Sequence, residues 1–292
     1  MMITRVCMVL TVLLLSALPV HAHEFWIAPV TAALTVGDTA NLTLHVGEFF
    51  EGEVLGFSAS QTVALRQYTA AGRKDLRALL PLRTALPALA LPLTAAGTHL
   101  VAFDSQPNVI SLSADKFHAY LHDEGLDFIK TQREAAGSAE KPGRERYRRF
   151  VKTLLQVAPA TGTPEAPVPA PAADMTYATR PGQRLEILPL VDPLQLMPGD
   201  SLAVRVLFED KPLAGVLLKA WHKHNGQTLV IRAKTSADGM ASFNLPYSGA
   251  WMISGVHMIP AVGSKDVDWD SFWANLTFGM RPVIGTALGS RP

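Results

Sequence analysis

The chain has 292 residues and a nearly balanced charge, with 26 Lys and Arg residues against 25 Asp and Glu residues. A basic excess that would favour nucleic acid or an anionic membrane is therefore absent, and so is an acidic run that would indicate disorder. The only cysteine, Cys7, lies in the first apolar segment. Disulfides, cysteine-ligated zinc sites and thiol catalysis are excluded for the rest of the chain, which is long enough for two ordinary domains.

Residues 1–22 have the features of a secretory signal peptide. Arg5 precedes an apolar run over 9–18, and Val20-His21-Ala22 provides small or permissive residues for cleavage. The apolar run is too short to cross a membrane, and no stop-transfer segment follows it. We therefore predict cleavage after Ala22 and export, which in a bacterium means a periplasmic protein.

Cleavage at this point makes His23 the first residue of the exported protein. Its free α-amine titrates near ~8 and its imidazole near ~6.5, so both nitrogens can bind a transition metal near neutral pH with little proton competition. This residue pattern predicts an N-terminal metal chelate. The alternative is that His23 merely happens to follow the cleavage site.

Short strands separated by turn residues are predicted over residues 25–110. The segment 40–46 alternates cleanly and places three apolar side chains on one face: Leu42, Leu44 and Val46. Runs of similar length occur at 33–36, 61–66 and 99–103. This pattern predicts an N-terminal β-sandwich domain over 23–112.

The pattern changes to a helical one after residue 112. Five side chains recur at helical spacing, namely Phe117, Tyr120, Leu121, Glu124 and Phe128, and the segment 114–134 contains no proline. A second helix is predicted over about 144–157, where Arg, Lys and aromatic residues are frequent. We therefore expect a helical hairpin over 113–157, with its cationic residues on a solvated face, followed by a Pro/Ala-rich linker over 158–182.

Strands return over residues 183–282, at 202–207, 216–221, 228–234, 241–245, 251–258 and 275–280. The dipeptide Asn225-Gly226 is the strongest hairpin signal in the chain. These features predict a second β-sandwich, of immunoglobulin-like or transthyretin-like type, and a tail over 283–292. The predicted fold is thus mainly β, with two β-sandwich domains and an inserted helical hairpin.

Two pairs of histidines have metal-ligand spacing. His118 and His122 lie four residues apart on the predicted helix, a spacing that can place two imidazoles over one metal, but the intervening glutamate of a zinc protease is absent. They flank the apolar face of the helix, where partly exposed histidines are common, so we expect them to bind no metal. His222 and His224 lie on one face of a predicted strand near the hairpin turn, where we expect them to face solvent. A weak surface metal site is the minor alternative for this second pair.

Other candidates are a single histidine and a group of aromatic residues. His257 lies among apolar neighbours, where a buried histidine usually only donates or accepts a hydrogen bond. The aromatic group could form a carbohydrate platform, although core packing is the expected role: Trp251, Trp269, Phe272 and Trp273. Enzyme motifs are absent, so we expect no catalytic residue and a protein that is not an enzyme.

Several motifs, in the same order along the chain, resemble those of domain-of-unknown-function family 4198. They are Ala22-His23-Glu24-Phe25-Trp26, Val46-Gly47-Glu48-Phe49, Phe117-His118-Ala119-Tyr120-Leu121, Lys211-Pro212-Leu213-Ala214-Gly215, Val256-His257-Met258 and Trp273-Ala274-Asn275-Leu276-Thr277-Phe278. Family members are exported proteins, and some are described as periplasmic accessories of nickel or cobalt uptake. Fold-level analogy alone does not establish a site.

The resemblance implies a metal site, because its motifs include His23 at the cleavage point and His257 near the end of the chain. It implies that His23 and His257 approach each other, with Glu48 as a third ligand, in a histidine-brace-like set that favours nickel, cobalt or copper. The protein is then expected to be an exported periplasmic accessory that presents the ion to a membrane metal transporter. The alternatives are a non-catalytic interaction or carbohydrate-binding β-sandwich module and, less favoured, a copper oxidase.

Overall fold

The computed structural model describes residues 24–29, 31, 33–160 and 174–281. The predicted signal peptide, His23, most of the predicted linker and the predicted tail lie outside these ranges. The strands are, in chain order, β1 Glu24–Pro29, β2 Leu34–Thr35, β3 Thr39–Glu48, β4 Glu51–Leu55, β5 Thr62–Thr69, β6 Gly72–Asp75, β7 Leu89–Pro92, β8 Gly97–Ser105, β9 Asn108–Leu112, β10 Gly143–Ala158, β11 Leu185–Pro189, β12 Ser201–Phe208, β13 Lys211–Pro212, β14 Leu217–His224, β15 Gln227–Lys234, β16 Met240–Asn244, β17 Gly249–Pro260 and β18 Trp269–Met280. The helices are α1 Ala114–Asp123 and α2 Asp127–Ala135.

One sheet of ten strands connects the two halves of the described chain. Its main path runs β15-β14-β17-β18-β10-β8-β5-β6, and β2 and β9 also pair with β10. A sheet of β1, β3, β4 and β7 packs on one part of it, and a sheet of β11, β12, β13 and β16 packs on another. The predicted mainly β, sandwich-like fold is confirmed, and two short helices accompany it, whereas the predicted domain boundaries stay a prediction.

The strands predicted in the second half match the structure closely. The segments 202–207, 228–234 and 241–245 fall within or at the edge of β12, β15 and β16. Asn225 and Gly226 have φ angles of 49° and 76°, in the left-handed region, and join β14 to β15. Positive φ at both central residues is the geometry of a type I′ turn, which is why Asn-Gly predicted this hairpin.

The helix predicted over 144–157 is wrong, because this segment forms β10. The strand pairs in parallel with β18 and antiparallel with β8, and both of its faces are buried. Phe150 and Leu154 enter one core, whereas Val151 and Leu155 enter the other. A strand that is buried on both faces lacks alternating polarity, so its apolar run cannot be distinguished from a helix by periodicity.

The cations of β10 form ion pairs across the sheet and do not lie on a solvated helix face. The Arg144 guanidinium lies 2.6 Å from an Asp268 carboxylate oxygen, just before β18. The Arg146 guanidinium lies 2.6 Å from a carboxylate oxygen of Asp270, which is its register partner on β18. These pairs match the two parallel strands residue for residue, so they support the register of this pairing.

Two short helices are present, and both lie in the segment that was predicted as the first helix of the hairpin. Residues 114–134 form two helices, since Gly125 adopts a φ of 69° directly after α1. The Leu126 N–H bonds the Leu121 carbonyl and the Gly125 N–H bonds the His122 carbonyl, which is the Schellman pattern of helix termination. Neither helix in the described part of the chain has the length and apolar character needed to cross a membrane.

Gly143 lies where β10 passes directly under α1, so we expect its replacement by alanine to be destabilising. A Cβ at this position would lie 2.3 Å from the Phe117 ring. We expect Gly143→Ala to lower the free energy of unfolding by about 1–3 kcal/mol through overpacking, as measured by urea denaturation. Gly279→Ala on β18 is the control, since no atom lies within 4 Å of its Cβ position. Equal midpoints for the two variants would contradict the prediction.

Candidate functional site

A cavity of about 240 Å³ lies where the start of β1, the turn between β3 and β4, the end of α1, and strands β14 and β15 meet. Its lining residues are Glu24, Glu48, Phe49, Tyr120, Asp123, Glu124, Lys219, Trp221 and Arg232. Four of these side chains are acidic and two are basic. The cavity therefore has a formal excess of two negative charges.

Glu24 is held in the cavity by a chain of hydrogen bonds. It lies opposite Gly47 in the antiparallel pairing of β1 with β3. The Ser254 hydroxyl donates to Glu24 Oε1 at 2.8 Å, and the Trp221 indole N–H donates to the Ser254 hydroxyl oxygen at 2.9 Å. Burial, together with the nearby Glu124 carboxylate, raises the pKa of Glu24 to about 7. The carboxyl group is thus oriented before any ligand arrives.

Glu124 faces the same cavity from the end of α1. Its Oε1 accepts a hydrogen bond from the Lys219 ammonium at 2.7 Å, and both side chains are buried. Burial raises the pKa of Glu124, and the ion pair with Lys219 partly opposes this effect. The helix termination at Gly125 fixes the position of Glu124, because the two residues are adjacent.

The turn between β3 and β4 contributes Glu48 and an unusual backbone. Phe49 and Phe50 have φ angles of 55° and 58°, a conformation that is strained for bulky residues. The Phe49 ring meets the Trp221 ring edge-on at 6.3 Å, and the Phe50 ring meets the Trp26 ring edge-on at 5.4 Å. These aromatic contacts hold the turn, and with it Glu48, against the cavity.

Behind the cavity wall, a buried polar network positions Tyr120. The Tyr120 hydroxyl donates to Glu145 Oε1 at 3.4 Å, and the Ser271 hydroxyl donates to the same oxygen. The Tyr120 ring also stacks on Trp273, with the ring centres 5.7 Å apart. Burial raises the pKa of Glu145 to about 7. This network anchors α1, which supplies one side of the cavity.

The structure brings together some of the predicted ligands and not others. Glu48 lines the cavity together with Glu24, the residue that follows His23. His23 itself lies outside the described residues. In the described part of the chain, no group of three or more His, Cys, Asp or Glu side chains could by itself hold a metal ion. The predicted set of His23, His257 and Glu48 therefore stays a prediction.

His257 lies on the opposite face of the ten-stranded sheet from Glu24. Its ring contacts the Phe208 ring at 4.6 Å, on the side covered by the sheet of β11, β12, β13 and β16. Ser254, which bonds Glu24, is three residues away on β17 and therefore points to the other face. Burial lowers the pKa of His257 to about 4, so the imidazole is neutral at physiological pH.

His222, His224 and His122 each contact another side chain of the protein. His222 is buried, contrary to the expectation that it faces solvent, because its ring stacks on Trp251 at 4.5 Å. The His224 ring stacks on Tyr247 at 3.8 Å. His122 on α1 is exposed and lies 3.1 Å from an Asp127 carboxylate oxygen. The aromatic ring of Tyr247 covers this part of β14, which the sequence did not indicate.

The aromatic group proposed as a carbohydrate platform is buried. The relative exposures are 0% for Trp251, 7% for Trp269, 1% for Phe272 and 8% for Trp273. Their expected role in core packing is confirmed, and these four rings do not form an exposed platform.

Glu48 is the one lining residue that was predicted as a site residue, and Glu24, Glu124 and Lys219 are among those that were not. Lys219 carried the clearest signal, since it interrupts an apolar strand, and a fully buried lysine is rare unless it is paired. Glu124 and Gly125 together formed a helix-termination signal that the predicted longer helix passed over. The meeting of these three residues depends on contacts far apart in the chain, which spacing alone does not show.

The structure is that of a mainly β protein with two short helices and a cavity that is lined by four acidic side chains. The chain belongs to the family described as a domain of unknown function, DUF4198, whose model matches residues 20–259. This match confirms the resemblance that the ordered motifs indicated. A comparison with curated protein sequences finds no match.

Solved structures show only distant likeness to this chain. The α2-macroglobulin of Escherichia coli activated by porcine elastase is 11% identical, with a TM-score of 0.21, over 88% of this chain and 23% of that one. Dimeric latent PorU from Porphyromonas gingivalis is 10% identical, with a TM-score of 0.18, over 87% of this chain and 20% of that one. The chain thus spans less than a quarter of each, and the likeness carries no argument about function.

Proposed function

We propose that this protein is an exported metal-binding protein that holds nickel, cobalt or copper at the start of β1. The observation that carries the proposal is the cavity itself, in which Glu24, the residue after His23, lies with three further carboxylates. Signal cleavage after Ala22 would place a free amine and an imidazole one residue along the chain from Glu24. This closeness along the chain supports the cavity as the place of the predicted N-terminal chelate.

The donor set fits a divalent transition metal. The amine and imidazole of His23 supply nitrogen ligands, which suit nickel, cobalt and copper, and the carboxylates of Glu48, Glu24 and Glu124 supply oxygen ligands. With all four acidic side chains ionised, the formal excess of two negative charges in the cavity is complementary to one divalent cation. The described carboxylates need the donors of His23, because they form no complete site on their own.

We leave His257 out of the proposed ligand set. It points away from Glu24, toward Phe208 on the opposite side of the sheet. The metal is proposed as cargo, which the protein presents to a membrane uptake system in the periplasm. Export rests on the predicted signal peptide, and the transporter partner rests on the family resemblance. The alternative, a carbohydrate-binding or interaction module, has less support, because its four candidate rings are buried.

The first test is native mass spectrometry of the exported protein, with its N-terminus sequenced and its bound metal counted. We expect a chain that begins at His23 and binds one Ni(II), Co(II) or Cu(II). At a free metal concentration about 100-fold above Kd, binding should add about 2.7 kcal/mol to the free energy of unfolding. A chain that begins elsewhere, or that stays metal-free after loading with all three ions, would overturn the proposal.

Matched histidine variants assign the ligands. We expect His23→Ala to lose most of its metal binding and of the metal-dependent gain in stability, since the imidazole donor disappears and the remaining α-amine can no longer form the chelate. His257→Ala should bind the metal as the wild type does, because its side chain lies on the other face of the sheet. Metal titration followed by calorimetry distinguishes the two variants, and loss of binding in His257→Ala would contradict the proposed ligand set.

A further inference from the structure

We infer that an apolar cleft in the ten-stranded sheet binds a single-chain aliphatic carboxylate, with Arg281 holding the carboxylate at the mouth. The cleft has a volume of about 810 Å³ and lies between the ends of β10 and β18. It shares no lining residue with the acidic cavity, so this inference does not rest on the proposed metal-binding function. It adds a second site, for a ligand of different chemistry.

The cleft exists because two neighbouring strands of the sheet part. β10 and β18 pair in parallel only as far as Thr153 and Thr277. Further along β10, β2 takes the place of β18 on this edge and pairs with residues 157 and 158. The outer edges stay paired here, β10 with β8 and β18 with β17. Both walls of the cleft are therefore held in place by the sheet itself.

The walls of the cleft are mainly apolar. The buried side chains of Leu154 and Phe278 belong to one of the two cores beside β10, and that of Leu155 belongs to the other. Water finds few hydrogen-bond partners on such walls, whereas an aliphatic chain that enters the cleft removes apolar surface from water. The volume also lies within the range of about 300–1,000 Å³ that is usual for small-molecule pockets. An aliphatic chain therefore fits the interior.

The charge at the mouth selects the head group of the ligand. Arg281 is the one charged residue that lines the cleft, and it is exposed directly after β18. Among the described residues, no carboxylate lies within ion-pair distance of its guanidinium. Burial raises the pKa of Asp192, and the Arg281 charge opposes this effect over a longer distance. A guanidinium at the edge of an apolar site can bind a carboxylate through two parallel hydrogen bonds, whereas a cationic head group would meet a like charge.

The first test is calorimetric titration of the full exported protein with laurate, at concentrations at which laurate forms no micelles. We expect one laurate per chain and about tenfold weaker binding of dodecanol, which has the same chain length and no charge. Absence of laurate binding, or equal affinity for dodecanol, would overturn the inference. Vesicles of phosphatidylglycerol test the other source of aliphatic chains, and binding of vesicles by protein that binds no laurate would overturn it as well.

Two variants test the interior and the mouth separately. Gly279 lines the cleft, and no atom lies within 4 Å of its Cβ position. We expect Gly279→Leu to lose most of its laurate binding, because the added side chain takes space that the ligand needs, while the urea midpoint is unchanged. Arg281→Gln should bind laurate about tenfold more weakly and dodecanol as the wild type does.

Arg73→Gln is the matched control for the mouth, because Arg73 is exposed on β6 and lies outside the cleft lining. It should bind laurate and dodecanol with the affinities of the wild type. Unchanged laurate affinity in folded Gly279→Leu, or in Arg281→Gln, would overturn the inference.

A photolabel on the wild type keeps the inference testable if Gly279→Leu does not fold. A laurate analogue with a diazirine at the end of its chain is activated by light in the presence of the full exported protein, and the labelled peptides are identified by mass spectrometry. We expect label within 153–158 or 277–281, and loss of this label when excess laurate is present. Label confined to other segments would overturn the inference.

Discussion

Replacement of Lys152 by methionine is expected to lower the free energy of unfolding by about 3–5 kcal/mol. Lys152 on β10 and Glu186 on β11 form an ion pair of 3.1 Å, and the two side chains are 1% and 0% exposed. The pair joins the ten-stranded sheet to the sheet of β11, β12, β13 and β16. Without the lysine, the buried Glu186 carboxylate loses its counter-ion, and its second oxygen already has no hydrogen-bond partner in the described structure.

The matching double variant distinguishes a lost ion pair from lost packing. Lys152→Met with Glu186→Leu removes both charges, so we expect its stability to return to that of the wild type or to exceed it by about 1–4 kcal/mol. Urea denaturation of the wild type, both single variants and the double variant gives the coupling between the two residues. The prediction would be contradicted if Lys152→Met lowered the free energy of unfolding by less than about 1 kcal/mol, or if the effects of the two single substitutions simply added in the double variant.

The second large effect concerns Glu145, whose replacement by glutamine should stabilise the protein only at neutral and alkaline pH. Burial raises the pKa of this carboxyl from 4.5 to about 7 in the folded state. The folded protein therefore holds the proton more tightly than the unfolded chain does, and stability falls as the pH rises from 4.5 to about 7. The carboxyl is 3% exposed, so this loss amounts to about 3 kcal/mol.

Glutamine at position 145 cannot ionise, but its side-chain oxygen can still accept from Tyr120 and Ser271. We expect Glu145→Gln to match the wild type near pH ~4 and to exceed its stability by up to about 3 kcal/mol near pH ~8, as measured by urea denaturation across this range. The exposed substitution Glu140→Gln is the control and should leave the wild-type profile unchanged. The prediction would be wrong if the free energies of unfolding of Glu145→Gln and the wild type differed by the same amount at every pH.

The cavity and the buried side chains of Lys152 and Glu145 all depend on strand β10. β10 contributes Lys152 to the core beneath the second small sheet and Glu145 to the network that anchors α1. The strand is central because β18 pairs with it in parallel and β8 pairs with it antiparallel. The proposed metal site therefore depends on a strand that contributes no residue to the cavity lining.

The candidate site was only partly predictable. His23 and Glu48 were indicated by the signal cleavage point and by the family motifs, and Glu48 does lie in the cavity beside Glu24. The sequence did not show that His257 lies on the opposite face of the ten-stranded sheet from Glu24, because the face on which a strand residue points depends on what packs against each side. Glu124 and Lys219 lie 95 positions apart, and their contact follows from the position of α1 over β14.

The amino-acid sequence by itself determined the local features of this protein: the strands with alternating polarity, the Asn225-Gly226 turn, the helical character of 114–134 and the membership of the family. These features depend on neighbours within a few residues, which the sequence shows directly. Only the tertiary structure decided that 143–158 is a strand, that His257 and Glu24 lie on opposite faces, and that four carboxylates share a cavity. Each of these outcomes depends on burial by distant segments, which alters the environment of a side chain without leaving a periodic pattern around it.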